Sequence, residues 1–483
     1  MIYKFLTFFL CSLFLIYSSK KTLYGQQIVV NVTYINNIDV SVLSAIAGEE
    51  LDYSVNMYKM VYNTVDVLGQ PTIASGAVAI PANAPCTEYP IAIYEHGTSL
   101  IKSDVPSNNV DEAYVGRIFA AGGFFVLMPD YIGMGESPGL HPYCHGESEA
   151  TATLDMIRAF REAVSLNLFP NVTNDNGEVF ITGYSQGGHA SMATHKYIED
   201  NSLLSEFNVV ASAPCSGPYE ITGAMADTIL SAAYSKPGYI VYLLASYQSA
   251  YGNLYSSYSD ILKAPYDSIV VPYFDGNNFS YGMNSLNNQL PVFIDSMIVD
   301  TTYQNFINAT STFNHPLWQA MAQNDNHDWL PDRPIRMYYC TGDEQVSFNN
   351  ALHAEEAMVA NGADNIEAVF MGDGNHGNCV FPSLTSAFYW FDSLKTSCSA
   401  NLEDLLKKEE VSVYPNPFSE NITIDVSSPD VFTYQVLSSE GKTIIKGKAK
   451  ASASVDLSQV KSGYYLLVLE KQGAVYRKPL MKE

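Results

Sequence analysis

The sequence predicts an α/β protein: a mostly parallel sheet with helices on both faces, carrying an inserted cap and followed by a small all-β sandwich. Three observations lead there. Short apolar strands alternate with helix-period segments from residue 54 to residue 396, the rhythm of a sheet covered on both faces. The run Val179–Thr182 leads directly into Gly183-Tyr184-Ser185-Gln186-Gly187, a G-x-S-x-G turn followed by the small residues Ala190, Ser191 and Ala193. Strand, sharp turn and helix form the context in which that motif presents a reactive serine. Past residue 410 the pattern changes to short alternating runs separated by Ser, Gly, Pro and Asp, as in a sandwich.

Taken in order, residues 54–80 alternate apolar and polar around Leu68-Gly69-Gln70-Pro71 and predict an antiparallel pair at a sheet edge. Ile91–Tyr94 is a short buried-type strand running into Glu95-His96-Gly97-Thr98. Asp111–Ala121 has helical spacing through Val115, Ile118 and Phe119 and is closed by Gly122-Gly123. Phe124–Met128 is the next strand, and Glu147–Leu166 a helix with Leu154, Ile157, Phe160 and Val164 on one face. After the Ser185 turn and its helix comes strand Phe207–Ala213. Residues 217–333 break the rhythm and hold 12 of the 34 tyrosines. They predict a cap over the site, because tyrosine suits a surface half apolar and half wet. Strand Ile335–Cys340, helix Ala351–Asn361, strand Ile366–Met371 and helix Phe381–Leu394 resume the pattern. The expected divisions are a signal peptide (1–25), a catalytic domain (26–400) with its cap at about 217–333, a charged linker (401–410) and a β domain (411–483).

The chain has 483 residues and a net charge of −25, and residues 26–400 hold 11 basic against 39 acidic side chains. Such a surface repels phosphate backbones and anionic headgroups, which excludes nucleic-acid binding and lasting adhesion to an anionic membrane. At the N-terminus, Lys4 precedes the apolar run Phe5–Tyr17, and Leu23-Tyr24-Gly25 before Gln26 reads as a cleavage site. The run is short for a membrane span, while Lys20 and Lys21 leave an uncleaved anchor as the alternative. The reading is an exported protein with no stable transmembrane anchor. Cys86, Cys144, Cys215, Cys340, Cys379 and Cys398 remain after cleavage, enough for up to three disulfides in an oxidising compartment. None has metal-ligand spacing.

A serine hydroxyl barely ionises at neutral pH, so an elbow serine needs a base, and the base needs an acid to orient it. On this type of sheet the acid and then the histidine follow the serine along the chain. For Ser185 the base is His376, in the Gly/Asn-rich loop after the last strand. The acid is Asp343, directly after its strand in Thr341-Gly342-Asp343-Glu344-Gln345-Val346. Glu344 and Asp373 are the other acids at hand, the first pointing elsewhere in its loop and the second capping the histidine loop. The oxyanion hole takes the backbone N–H groups of Gln186 and Thr98. Gly97 lets the chain approach substrate, and Gly183 and Gly187 keep the elbow clear of its neighbours. Tyr184, Asp130 and Tyr131 are read as pocket wall; Asp130 precedes Ser185, the wrong order for the acid. His96 and His189 are read as structural. His141 and His145 are separated by Pro142 and lack a third ligand, so neither metal nor cofactor is expected.

Together His96-Gly97-Thr98, the Asp130-Tyr131-Ile132-Gly133-Met134-Gly135-Glu136-Ser137 loop, His141-Pro142-Tyr143 and Gly183-Tyr184-Ser185-Gln186-Gly187-Gly188-His189 resemble the secreted lipase family of the α/β-hydrolase fold, over about residues 50–396. The resemblance implies hydrolysis of carboxylic esters, of small molecules or lipids, with Ser185, Asp343 and His376 as nucleophile, acid and base. The cap shows no long apolar helix, so a plain esterase on short-chain substrates stands beside a lipase. An exopeptidase on the same fold is the alternative. Val411-Ser412-Val413-Tyr414-Pro415-Asn416-Pro417-Phe418, a β-rich body and the basic end Arg477, Lys478 and Lys482 resemble the C-terminal sorting domain of the type IX secretion system of Bacteroidetes. That resemblance implies the secretion machinery as a partner and a secreted or cell-surface location.

Overall fold

The computed structural model describes residues 27–482 except 49, 83, 85, 311, 397–410, 427–430, 439–441 and 472–473. The expected signal peptide and linker lie outside the described residues. The chain separates into two compact units, with the boundary between Ser397 and Cys398.

In the first unit the described residues form a nine-stranded sheet: β1 (Val29–Ile38), β2 (Ser54–Val65), β3 (Pro71–Ala82), β4 (Glu88–Glu95), β5 (Phe125–Pro129), β6 (Asn174–Tyr184), β7 (Val209–Cys215), β8 (Ile335–Tyr339) and β9 (Ile366–Phe370). Their order is β1-β2-β3-β5-β4-β6-β7-β8-β9. Pairing is antiparallel from β1 through β3 to β5. It is parallel from β5 across to β9. The central parallel strands carry buried apolar runs, Ile91–Ile93, Phe125–Met128 and Val179–Ile181, because helices cover them. Helices Ala113–Ala121 and His376–Leu394 pack in a cluster with Phe119, Phe124, Phe180, Phe388 and Phe391. Each such side chain contributes on the order of 2 kcal/mol by leaving water. Helices Gly146–Ser165 and Gln186–Asp200 pack against each other, the first also against β2 and β5 and the second against β6, β7 and β4. The central strand β6 therefore delivers its C-terminal end between the ends of β4 and β7.

Three differences from the sequence reading have physical reasons. Edge strand β1 goes unpredicted because it buries only Val29 and lacks a clean inward stripe. The closing helix starts at His376 rather than Phe381: Asn375 caps it, its side chain accepting from the Asn378 N–H at 2.9 Å, and the helix continues through Pro382. The cap, between β7 and β8, does contain a long apolar helix, Pro237–Tyr251. Pro237 opens it and Gly252, at φ 70°, closes it. It buries Val241, Tyr242, Leu244, Ala245 and Tyr247. Apolar groups surround its axis instead of forming one stripe, so periodicity hides it. No helix among the described residues is long and apolar enough to cross a membrane.

The second unit has seven described strands, β10 (Val411–Tyr414), β11 (Asn421–Val426), β12 (Val431–Ser438), β13 (Thr443–Lys450), β14 (Ser452–Asp456), β15 (Gly463–Lys471) and β16 (Ala474–Lys482). All pair antiparallel, in the order β10-β11-β14-β13-β12-β15-β16. A single residue pair, Lys450 with Ser452, joins β13 to β14. The three-stranded and four-stranded halves share one core of Ile422, Ile424, Val455, Phe432, Val436, Leu467 and Leu480, which makes the unit a sandwich.

Cys340 and Cys379 form a disulfide across 39 residues. It ties the loop after β8 to the helix after β9. Cys86 is also disulfide-bonded, while Cys144 and Cys215 are free and buried. Replacing both Cys340 and Cys379 by serine is expected to cost about 2–4 kcal/mol. The measurement is the chemical-denaturation midpoint of oxidised wild type against the double variant.

Candidate active site

The site begins with a backbone constraint. Ser185 sits between β6 and the helix Gln186–Asp200 at φ 60° and ψ −119°, a conformation costing a non-glycine residue about 1–3 kcal/mol. Its N–H donates to the Cys215 carbonyl at 3.0 Å. A side chain at Gly187 would collide with the Glu95 carbonyl, and one at Gly183 with the carbonyls of Gly187 and Glu95. A Cβ on Gly188 would lie 2.5 Å from the Cys215 carbonyl. The glycines thus let the helix N-terminus press against the ends of β4 and β7. Gln186 is the first residue of that helix, so its N–H has no helical acceptor.

The β4 end supplies the facing loop. The Gly97 N–H donates to Glu112 Oε1 at 2.5 Å, and the Tyr94 hydroxyl reaches the same oxygen at 3.1 Å. Glu112 therefore occupies the Gly97 donor. The next one, the Thr98 N–H, has no partner among the described residues. His96 packs under the loop against the Tyr131 ring at 4.3 Å, and its carbonyl accepts from the Tyr131 hydroxyl.

The ends of β8 and β9 bring Asp343 and His376 together. His376 Nδ1 lies 2.7 Å from Asp343 Oδ2, and both side chains are nearly buried. Asp343 Oδ1 accepts from the N–H groups of Gln345 and Val346, each at 2.9 Å. Glu344 does not point away from the site: its Oε2 accepts the His376 N–H at 3.1 Å. Burial works against the Glu344 charge, but that N–H and the Gln345 amide outweigh it and hold its pKa below the ordinary value. The Tyr184 hydroxyl donates to the His376 carbonyl at 2.6 Å, and its ring lies 5.0 Å from the imidazole. Asp373 accepts from the Thr341 hydroxyl at 2.8 Å. The Ser185 hydroxyl has no hydrogen-bond partner among the described residues.

A cavity with about 1160 Å³ of empty space, its mouth included, lies within the cap. Its near end is Tyr143, whose hydroxyl is 3.3 Å from Thr98 Oγ1, together with Tyr234, Tyr239 and Val346 beside the Asp343 loop. Ser185 itself does not line it. Neither do Asp130 and Tyr131, whose full burial replaces their reading as pocket wall with an internal one, while Tyr184 stands beside His376. Asp130 is fully buried, with its carboxylate on the Ser75 hydroxyl and the Ser107 N–H. The two tyrosines spend their hydroxyls on the carbonyls of His96 and His376.

Beneath the elbow runs a buried polar network with no spacing signature in the sequence. Glu149 Oε1 accepts from the Gln186 side-chain amide at 3.1 Å, and Oε2 pairs with His189 Nδ1 at 2.7 Å. His189 Nε2 bonds the Asn324 carbonyl at 3.0 Å. Burial opposes a charge on His189, yet Glu149 prevails and raises its pKa. His141 is different. Burial pushes its pKa down to about 4, and its neutral ring bridges the Ile132 carbonyl and the Gln186 amide. Cys144, Glu149 and His189 bring donor atoms within 4.8 Å of one another. Both Glu149 oxygens and both His189 nitrogens are already bonded, so the cluster is a hydrogen-bond network. His145 bonds Ser148 instead of joining His141.

A parallel sheet with a glycine-bounded serine elbow, and a His–Asp pair after later strands, defines an α/β-hydrolase. Residues 107–397 match the secretory lipase family, and the chain belongs to it. Residues 412–483 match the secretion system C-terminal sorting domain. Comparison with curated proteins returns no match. Among solved structures, the rice cell wall degrading esterase LipA from Xanthomonas oryzae is similar at 27% identity and a TM-score of 0.65, over 80% of this chain and 99% of that one. A putative hydrolase from Legionella pneumophila shares the fold at 23% identity and a TM-score of 0.68, over 76% and 98%. Candida antarctica lipase A in its closed state shares it at 18% identity and a TM-score of 0.54, over 76% and 83%. The protein is thus an exported carboxylic ester hydrolase, secreted or at the cell surface. Nothing in these likenesses supports the exopeptidase alternative.

One group near the site carries a pH dependence. Glu95 ends β4, is fully buried, and accepts from the Thr153 hydroxyl at 2.6 Å, while its Oε2 has no partner among the described residues. Burial raises its pKa from 4.5 to about 8, against the pull of Thr153. Between those values the folded chain keeps a proton that the unfolded chain has lost. The stabilisation is complete below the unfolded pKa and falls away as pH rises through the folded one. Glu95→Gln is expected to flatten the decline in thermal midpoint from about pH 5 to about pH 8. Parallel curves for the two proteins would contradict the buried acid.

Proposed function

We propose that the protein cleaves carboxylic esters through an acyl-enzyme, with Ser185 as nucleophile, His376 as base and then acid, and Asp343 as its orienting partner. The observation carrying this reading is the 2.7 Å contact of His376 Nδ1 with Asp343 Oδ2 at the same sheet edge as the strained Ser185 turn. With Nδ1 held by the carboxylate, Nε2 is the ring nitrogen left to take the serine proton. The Ser185 hydroxyl turns to it as substrate arrives, since such bonds are often long before substrate binds. Attack on the carbonyl makes an oxyanion that the N–H groups of Gln186 and Thr98 receive. His376 then returns the proton to the departing alcohol, and water repeats the sequence to release the acid.

The cap cavity supports an acyl chain as the recognised part. Its walls are Ile221, Met225, Leu243, Leu244, Ile261 and Ile298 with further apolar side chains and tyrosine rings. Such walls reward each buried methylene by about 0.8 kcal/mol. The C-terminal unit carries the address for export and, in this reading, takes no part in catalysis.

Ser185→Ala is expected to lower kcat on p-nitrophenyl butyrate by at least about 10⁴-fold and to abolish labelling by a fluorophosphonate. Turnover at the wild-type rate would end the proposal. Leu244→Trp, which fills the cavity, is expected to cut kcat/KM on a decanoate ester about tenfold or more while sparing the acetate ester. Equal losses on both esters would place the chain elsewhere.

A further inference from the structure

The cap is bonded to the catalytic acid loop at two adjacent residues, Glu344 and Gln345, and Gln345 takes two of the three bonds. We infer that Gln345 is a positioning residue through which the cap holds Asp343 and His376 in line; the inference rests on the triad reading above. Two tyrosines reach Gln345 from the cap. The Tyr234 hydroxyl donates to its carbonyl oxygen at 2.8 Å, and the Tyr239 hydroxyl donates to its Oε1 at 2.9 Å. A third cap bond falls one residue earlier, from Ser235 Oγ to the Glu344 carbonyl at 3.2 Å. On its other side Gln345 faces the site. Its N–H donates to Asp343 Oδ1 at 2.9 Å, and its amide Nε2 donates to Glu344 Oε1 at 3.1 Å. Glu344 in turn accepts the His376 N–H. Both oxygens of Gln345 are thus taken by the cap and both nitrogens by the acid loop.

Tyr239 gives this link a second arm. Its ring stacks on Tyr143 at 6.2 Å, and the Tyr143 hydroxyl lies 3.3 Å from Thr98 Oγ1 on the oxyanion loop. Tyr234, Tyr239 and Val346 also line the cavity, and the Val346 N–H is the second donor to Asp343 Oδ1. The wall that an acyl chain would press on is therefore the wall that positions the acid. A group held through such a link must stay within a fraction of an ångström to be productive. Loosening the link lowers turnover without weakening substrate binding.

Tyr239→Phe keeps the ring, its stack on Tyr143 and the cavity wall, and removes only the bond to Gln345 Oε1. Gln345→Ala removes that acceptor and the amide. On p-nitrophenyl acetate, whose acyl group is too short to fill the cavity, each is expected to lower kcat about three- to tenfold with KM unchanged. The double variant should lose no more than the larger single loss, because both cut one link. Tyr247→Phe is the control: that cap hydroxyl donates to the Cys144 carbonyl at 3.0 Å, away from the acid loop, and kcat should hold. Wild-type kcat in both single variants, losses that multiply, or a change confined to KM would overturn the coupling. Ser185→Ala on the same substrate separates the two readings. If it is inactive while Tyr239→Phe and Gln345→Ala are normal, only the coupling fails. If it still turns over ester, the triad fails and the coupling with it.

Discussion

The contact on which the rest depends is the one between a helix N-terminus and two strand ends. The helix after Ser185 approaches the carbonyls of Glu95 and Cys215 so closely that positions 183, 187 and 188 have no room for a side chain. That approach forces Ser185 into a conformation an ordinary turn would avoid, and packing of the surrounding sheet offsets the cost. It also decides what stands beside the serine. Because β4 is the neighbour on one side, the loop leaving β4 has to be the one that faces the hydroxyl. Because β7 is the neighbour on the other, the chain leaving β7 has to rise over the site, and it becomes the cap.

Below this contact the protein keeps a hydrogen-bonded acid and histidine where water does not reach. Glu149 and His189 are both buried and face each other at 2.7 Å. Removing either would leave the other's buried hydrogen-bonding atoms without their partner, at a cost of about 1–3 kcal/mol. The network also fastens the cap. Asn324, near the cap's return to β8, accepts from the Gly146 N–H with its side chain and bonds His189 with its carbonyl. Ser246 and Tyr247, on the long cap helix, bond the carbonyls of His141 and Cys144. The cap thus rests on the catalytic sheet through polar groups as well as through its apolar core.

Much of this was legible in the sequence, for identifiable reasons. Parallel strands buried on both faces leave continuous apolar runs, and the elbow glycines mark a collision that only glycine avoids. Chain order was enough to place Asp343 and His376 after successive late strands, where they meet. Residues that act on backbone donors left no trace. Glu112 on the Gly97 N–H, Glu344 on the His376 N–H and Gln345 on Asp343 follow no period, since their partners are main-chain atoms or lie within the same loop. The cap helix Pro237–Tyr251 stayed hidden because burial around its axis erases the stripe by which helices are recognised. Asp130 and Tyr131 were misplaced because a strand end on this sheet edge reads as open, whereas a neighbouring loop covers them.

The Cys340–Cys379 bond joins the strand end just before the acid to the first turn of the helix that begins with His376. Such bonds persist in oxidising surroundings and are rare where thiols are kept reduced. A chain still inside the cell would carry its serine, its histidine and its acid without the covalent strap between the last two. Maturation of the site is thereby tied to geography. The same journey that takes the protein out of the cell also closes the bond between the Asp343 loop and the His376 helix.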